Sequence, residues 1–244
     1  IRQIANAKSG TFSLGNILGT DYFGVDNYFD IKIEEKDNQK SLGWTLKNLP
    51  SNFGDRDMRF VNDPYSETNW SGAKELWVRV DASKIQTKTS LRVAFEENAI
   101  GRESYSLIDG SLINLYYDDS TNIKSTTSGG FVELPAGFKG YITLPLNKTY
   151  YSCYWSENGN RILDINNVVQ FQIAVKSDEE MVGKTLYIDE FAIVGNVGGE
   201  KIPVNLNQTN DTYKTVWDFE GLSNGDGYIN SSLPWYGEFV GKLL

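Results

Sequence analysis

The sequence predicts an all-β protein that folds as an antiparallel two-sheet β-sandwich. Three observations support this prediction. Apolar and polar residues alternate along many short segments, turn residues separate these segments, and no segment has convincing helical periodicity. The chain has 244 residues, a length that one large all-β domain can reach.

The clearest strands are predicted at residues 75–81, 91–96 and 170–175, where every second residue is apolar. Such alternation is typical of strands with one buried and one solvated face. The residues predicted to face the core are Leu76, Val78, Val80, Leu91, Val93, Phe95, Phe171, Ile173 and Val175. The residues on the opposite face are Trp77, Arg79, Asp81, Arg92, Ala94, Glu96, Gln170, Gln172 and Ala174.

Further strands are predicted at residues 28–34, 41–47, 112–117, 141–146 and 185–194, and turns rich in Gly, Asn and Asp separate them. Many strands of this kind favour a jelly roll. We therefore predict a sandwich over residues 1–195. Residues 196–244 are predicted to be a linker followed by a tail that contains another strand.

The charge balance excludes several classes of function. The 23 basic and 32 acidic residues leave a net charge of −9, which disfavours binding to nucleic acid or to anionic membrane surfaces. The chain has no His and a single Cys, so His-based catalysis, His-ligated zinc and an internal disulfide are excluded. No apolar run approaches the roughly 20 residues of a membrane-spanning helix.

Four segments in order resemble bacterial carbohydrate-binding modules of the β-jelly-roll type, a galactose-binding-like sandwich found in clostridial polysaccharide-degrading and surface proteins. They are N-W-S-G-A-K-E-L-W-V-R-V-D at 69–81, L-P-A-G-F-K-G-Y-I-T-L-P at 134–145, L-D-I-N-N-V-V at 163–169 and L-Y-I-D-E-F-A-I-V at 186–194. In addition, W-D-F-E-G at 217–221 resembles the opening strand of such modules. The tail therefore either completes this sandwich or begins a second module.

The resemblance implies a non-catalytic module that binds a polysaccharide or oligosaccharide. It also implies a secreted or cell-surface location, within a longer multimodular protein in which the module is monomeric. Two alternatives remain open, a glycoside hydrolase or polysaccharide lyase on a jelly roll, and a structural or adhesion spacer. A hydrolase needs two carboxyl groups in one cleft. Glu96 and Glu97 are adjacent, but neighbouring residues of a strand point to opposite faces.

We predict a binding face on the three clearest strands, provided that they share one sheet. An indole can stack on the apolar face of a sugar ring, and charged and amide groups can bond to its hydroxyls. The residues of this predicted face are Trp77, Arg79, Arg92, Glu96, Gln170 and Gln172. Alternatively, the two sheets turn opposite faces outward, or Trp77 lies under a loop. The loop aromatics Tyr154 and Trp155 are further candidates.

The resemblance also implies a structural Ca²⁺ ion. In similar modules the Asp of the closing strand helps to hold Ca²⁺ together with groups near the first strand, and Asp189 matches that position. Glu220 matches the first-strand Glu only if the tail completes this domain. Because Ca²⁺ requires six to eight oxygen ligands, other groups would have to join these two carboxylates. The alternative is a solvated strand end without a metal.

Overall fold

The structure is a computed structural model that describes residues 10–15, 29–48, 55–62, 69–97, 103–107, 113–125, 127–128, 131–151, 160–176, 179–206 and 209–220. Within these residues the chain forms two antiparallel sheets, with short 3₁₀ turns at Leu146–Lys148 and Glu179–Met181. The predicted all-β, two-sheet architecture is confirmed. None of the described residues forms a helix that is long and apolar enough to span a membrane.

The described strands follow one another in chain order. They are β1 (Gly10–Gly15), β2 (Phe29–Lys36), β3 (Gln39–Leu46), β4 (Asp55–Asn62), β5 (Ala73–Asp81), β6 (Thr89–Glu97), β7 (Glu103–Leu107), β8 (Asn114–Tyr117), β9 (Asn122–Lys124), β10 (Thr127–Ser128), β11 (Phe131–Leu134), β12 (Lys139–Pro145), β13 (Thr149–Tyr151), β14 (Val168–Lys176), β15 (Thr185–Gly195) and β16 (Thr212–Asp218).

Consecutive strands repeatedly change sheets. In sheet A the order is β1-β4-β14-β6. On the side away from β14, β6 pairs with β11 along its first half and with β7 along its second half. The small strands β10 and β13 extend β11 and β7. In sheet B the order is β2-β3-β15-β5-β12-β8-β9. Strand β14 of sheet A is followed by β15 of sheet B, and β4, β5 and β6 alternate between the sheets, as in sandwiches of the jelly-roll type.

The main hydrophobic core lies between the two sheets. The three strands predicted from alternation are β5, β6 and β14. The residues predicted to face the core are buried in it, except Phe171, whose side chain lies outside the described part. Leu76, Val78 and Val80 come from β5, whereas Leu91 and Ile173 come from sheet A. The alternation arises because apolar side chains on one side of each strand leave water when the sheets pack face to face.

A second hydrophobic cluster lies on the other side of sheet B, and we call it the outer cluster. Its buried members are Trp77, Tyr141, Ala192, Val194, Ile202, Val204 and Tyr213. The Trp77 ring stacks on Tyr116 with centroids 5.5 Å apart and meets the edge of Tyr213 at 6.0 Å. Sheet B is therefore covered by apolar residues on both faces around β5 and β15.

Residues 200–206 cover the outer cluster. This segment connects β15 to β16 and inserts Ile202 and Val204 against the sheet. The backbone of Glu200 exchanges two hydrogen bonds with that of Tyr213, at 2.7 and 2.8 Å, and the Asn205 amide donates to the Ser120 hydroxyl at 3.0 Å. These bonds hold the segment across the sheet at both ends.

Gly140 allows β12 and β8 to approach closely beside this cluster. Its φ is 153°, and a Cβ atom at this position would lie 1.9 Å from the Tyr116 carbonyl oxygen. Only glycine avoids that overlap. The close approach brings Tyr116 of β8 next to Tyr141 of β12, since these two residues are paired across the strands.

The strand of the tail belongs to this sandwich. β16 pairs antiparallel with the second half of β15, from Glu190↔Asp218 to Gly195↔Thr212. Val216, Trp217 and Phe219 are buried in the main core. Within the described residues, β16 therefore contributes to sheet B and to the main core. Residues 221–244 lie outside the described part.

We predict that Trp77→Ala lowers the free energy of unfolding by about 3–5 kcal/mol, the usual cost of deleting a buried Trp. The measurement is chemical denaturation followed by fluorescence. Ile162→Ala is the matched control, because Ile162 is 69% exposed and its removal should change stability by less than about 0.5 kcal/mol. A Trp77→Ala protein as stable as the control would contradict the buried position of Trp77.

We also predict that a chain ending at Gly195 is insoluble or unfolded. The truncation removes Val216, Trp217 and Phe219 from the core and exposes an edge of β15. A chain ending at Glu220 keeps these contacts and is the control. Thermal melting and size-exclusion chromatography of both chains provide the comparison, and a soluble shorter chain with the melting temperature of the control would refute the role assigned to β16.

Candidate functional site

The structure separates the six strand residues that were predicted to form one face. Trp77 and Arg79 lie on β5 of sheet B, whereas β6 and β14, which carry the other four residues, are neighbours in sheet A. The condition for a single face, that the three strands share one sheet, is not met. Alternation along a strand indicates which residues face the core, but it contains no information on the sheet to which the strand belongs.

The exposed position predicted for Trp77 is not observed. Its side chain is 0% exposed within the outer cluster, and its Nε1 donates to the Glu75 carboxylate at 2.6 Å. The covering residues Ile202 and Val204 are far from Trp77 in sequence, which is why local alternation did not reveal the cover. In this structure no sugar ring can stack on Trp77.

Arg79 faces the same side of sheet B as Trp77 and is held by two carboxylates. Its two terminal nitrogens donate to Asp118 at 2.6 and 3.2 Å, and its Nε lies 3.0 Å from Asp189. The guanidinium also lies over the Tyr141 ring, 5.2 Å from the centroid. Burial opposes the charged form, but the bond to Asp118 and the nearby charges raise the pKa of Arg79 above its ordinary value.

Around Arg79 lies a set of interacting charges that we call the sheet B ion cluster. Its members are Lys36, Asp37, Arg79, Asp81, Asp118, Lys139 and Asp189.

The two-residue turn between β2 and β3, with positive φ at Asp37 and Asn38, brings Lys36 and Asp37 into this cluster. Lys36 pairs with Asp81, and Lys139 bonds to Asp37 at 2.8 Å. Burial would raise the pKa of Asp81, but the hydrogen bonds from Lys36 and Ser83 lower it below the ordinary value.

In sheet A the other four predicted residues occupy adjacent strands in register. Gln170 is paired with Glu96, and Gln172 and Arg92 occupy the next rows, opposite Ala94 and Ala174. These backbone positions alternate with the core positions of β6 and β14, which assigns them to the outer side of sheet A. Of the four residues, only Arg92 has a side chain within the described part. The structure therefore places four of the six predicted residues on two neighbouring strands.

Neighbouring strands extend these rows with polar residues that the sequence analysis missed. On β4, Arg59 is paired with Gln172 and Asp57 with Ala174. On β7, Ser104 is paired with Glu96 and Ser106 with Ala94. We call the resulting surface the sheet A polar face; its residues are Asp57, Arg59, Arg92, Glu96, Ser104, Ser106, Gln170 and Gln172.

A weak signal for the missed residues was present in the sequence. Residues 55–60 read D-R-D-M-R-F, in which Asp55, Asp57 and Arg59 alternate with Arg56, Met58 and Phe60. Arg56, a charged residue in the otherwise apolar half of this alternation, obscured the pattern. At the other side of the face, the Arg92 guanidinium lies 5.6 Å from the centroid of the Phe131 ring, which positions the charged group against β11.

The candidates Tyr154 and Trp155 lie outside the described residues.

The contacts of Asp189 and Glu220 do not fit a Ca²⁺ site. The two carboxylate oxygens of Asp189 contact the Ser41 hydroxyl at 2.6 Å and the Arg79 Nε at 3.0 Å. Glu220 accepts a hydrogen bond from the Lys40 amide at 2.8 Å. Burial raises the pKa of Asp189, and Ser41 and Arg79 counteract this in part. No group of three or more acidic side chains suited to a metal occurs among the described residues.

Glu97, one of the two carboxylates considered for catalysis, lies beside the carboxylate of Glu103 in the structure. Glu97 and Glu103 face each other across β6 and β7, and both are fully buried. Glu103 accepts hydrogen bonds from the Arg161 amide at 2.7 Å and from the Tyr105 hydroxyl at 3.3 Å. Glu96 belongs to the opposite face. The buried pair therefore has no access to a polysaccharide chain in this structure.

No family model and no curated protein matches the sequence significantly. Several solved structures are similar to this chain. One similar structure is the family 11 carbohydrate-binding module from Clostridium thermocellum in complex with a β-1,3-1,4-mixed-linked tetrasaccharide; it is 12% identical, with 75% of this chain and 95% of that chain covered and a TM-score of 0.42. A second is the family 11 module of a cellulosomal cellulase of the same organism. It is 11% identical, the match covers 80% of this chain and 92% of that chain, and the TM-score is 0.42. A third is a family 28 module specific for non-crystalline cellulose. It is 10% identical, the match covers 71% of this chain and 90% of that chain, and the TM-score is 0.34.

Proposed function

We propose that this protein is a non-catalytic carbohydrate-binding module and that the sheet A polar face is its binding face. The observation that supports the proposal is the register of four neighbouring strands, β4, β14, β6 and β7. It pairs the backbone position of Arg59 with that of Gln172 and the position of Glu96 with those of Gln170 and Ser104. The alternation of the strands assigns these positions to the outer face.

The spacing of such a face suits a ligand that has many hydroxyl groups. Neighbouring strands lie about 4.8 Å apart, and residues on one face of a strand recur about every 6.8 Å. The hydrogen-bonding groups are therefore distributed over a broad surface rather than concentrated at one point. Arg, Glu, Gln and Ser together supply both donors and acceptors, and a sugar hydroxyl uses both.

The charges of the face are balanced. Asp57 and Glu96 are acidic and Arg59 and Arg92 are basic, so the two pairs cancel. The whole chain carries a net charge of −9, which repels polyanions. Both features favour a polysaccharide without charge over a polyuronate or a sulfated chain.

Two parts of the proposal concern the cellular context. Structural polysaccharides lie outside the cell, so we propose that the protein is secreted or bound to the cell surface. We also propose that it acts as one monomeric module of a longer chain and holds the attached modules close to the polysaccharide. Immunodetection in the medium and in cell-wall fractions tests the location.

We predict that replacing both Gln170 and Gln172 by Ala weakens polysaccharide binding. Two lost hydrogen bonds, at about 0.5–1.5 kcal/mol each, correspond to a roughly 5- to 150-fold loss of affinity. Affinity gel electrophoresis in soluble neutral polysaccharides, chosen from a glycan array, measures the effect. The matched control is Gln86→Ala, because Gln86 is an exposed amide that bonds locally to the Ser83 carbonyl, outside the sheet A polar face.

The same gels distinguish the alternatives. Undiminished retention of the double variant would place the site elsewhere, and a lack of retention of the wild-type protein on every polysaccharide would support a structural spacer. Release of new reducing ends or unsaturated products from the retained polysaccharide would support a hydrolase or a lyase.

A further inference from the structure

Asp189 is a buried carboxylate whose position depends on a break in strand pairing. The register of β15 with β5 shifts between Ile188 and Glu190, so Asp189 falls at a β-bulge. A bulge re-aims the side chain of the extra residue. Here the carboxylate is 8% exposed and contacts Ser41 of β3 and Arg79 of β5.

A buried carboxylate requires a compensating positive charge. A Ca²⁺ ion would supply it only with six to eight oxygen ligands. At Asp189 both carboxylate oxygens already have donors, and the charge of Arg79 lies 3.0 Å away. A metal ion on Asp189 would therefore have to displace a guanidinium that is itself only 15% exposed.

Arg79 is fixed in this position from three directions. Asp118 holds both terminal nitrogens, Asp189 holds Nε, and the Tyr141 ring lies under the guanidinium plane at 5.2 Å. A guanidinium remains charged at every physiological pH, and its fork of donors suits two carboxylates at once. Arg79 therefore joins β5, β15 and the turn after β8.

The charges of the sheet B ion cluster are compensated in large part. It contains four carboxylates, Asp37, Asp81, Asp118 and Asp189, and three cations, Lys36, Arg79 and Lys139. Four negative and three positive charges leave a surplus of one. The Lys139 ammonium lies 2.8 Å from Asp37, 3.7 Å from Asp81 and 3.8 Å from Asp118, so it forms ion pairs with three of the four carboxylates.

We propose that Arg79 is the built-in structural cation of this sandwich. Its guanidinium neutralises Asp189 and ties the bulge of β15 to β5, and the fold requires no metal ion at this carboxylate. The resemblance to calcium-binding modules at Asp189 therefore extends to the carboxylate but not to its counter-ion.

A double-mutant cycle tests the proposal. Arg79→Gln leaves Asp189 buried without its counter-charge, and we expect the melting temperature to fall by roughly 6–20 °C, the range typical of breaking one partner of a buried pair. In the double variant Arg79→Gln/Asp189→Asn the buried charge is gone, and part of the loss should be recovered. Lys88→Gln is the control, because Lys88 is 73% exposed, 3.5 Å from Glu133, and should change the melting temperature by about 2 °C or less.

Cation removal is the second arm, and it requires no variant to fold. The wild-type protein should melt at the same temperature in excess EDTA and in millimolar CaCl₂. A fall in EDTA that CaCl₂ reverses would overturn the proposal, since a ligand bound only to the native state stabilises it by mass action. Strictly additive losses in the double-mutant cycle would overturn it as well.

Discussion

The pairing of β5 with β15 at the centre of sheet B is the interaction on which the rest of the structure depends. The two strands pair from Asp81 opposite Tyr187 to Ala73 opposite Gly195, with register shifts between Ile188 and Glu190 and between Val194 and Gly195. They place apolar residues on both faces of the sheet, toward the main core and toward the outer cluster. Because both faces leave water, this pair contributes more buried apolar surface than a strand pair with one solvated face.

Burial of both faces explains why the segment between β15 and β16 lies across the sheet. Trp77, Tyr141 and Tyr213 form a large aromatic surface on the outer side of sheet B, and an exposed patch of this size would be unfavourable in water. Ile202 and Val204 cover it. The same connection allows β16 to return antiparallel to β15 and to deliver Trp217 to the opposite face. One connection thus completes both hydrophobic clusters.

Local pattern was sufficient for the strands but not for their assembly. Alternation predicted β5, β6 and β14 and the inward direction of Leu76, Val93 and Ile173, because pleating is a property of a single strand. The assignment of β5 to one sheet and of β6 to the other depends on long-range pairing, which leaves no periodic signal. The burial of Trp77 was unpredictable for the same reason, since residues more than 100 positions later cover it. Among the site candidates, Glu96 and Gln170 occupy paired backbone positions because β6 and β14 are neighbours, and alternation contains no information on that pairing.

The two outer faces of the sandwich consequently differ in the state of their polar groups. On sheet B, the residues around Arg79 bond to one another, and the remaining surface around Trp77 is covered from within the chain. A ligand there would have to break ion pairs or displace residues 200–206. On sheet A, the backbone register of four strands aligns positions that carry polar residues. Both faces of sheet B are thus covered within the chain, and a ligand on the proposed face of sheet A would leave these contacts intact.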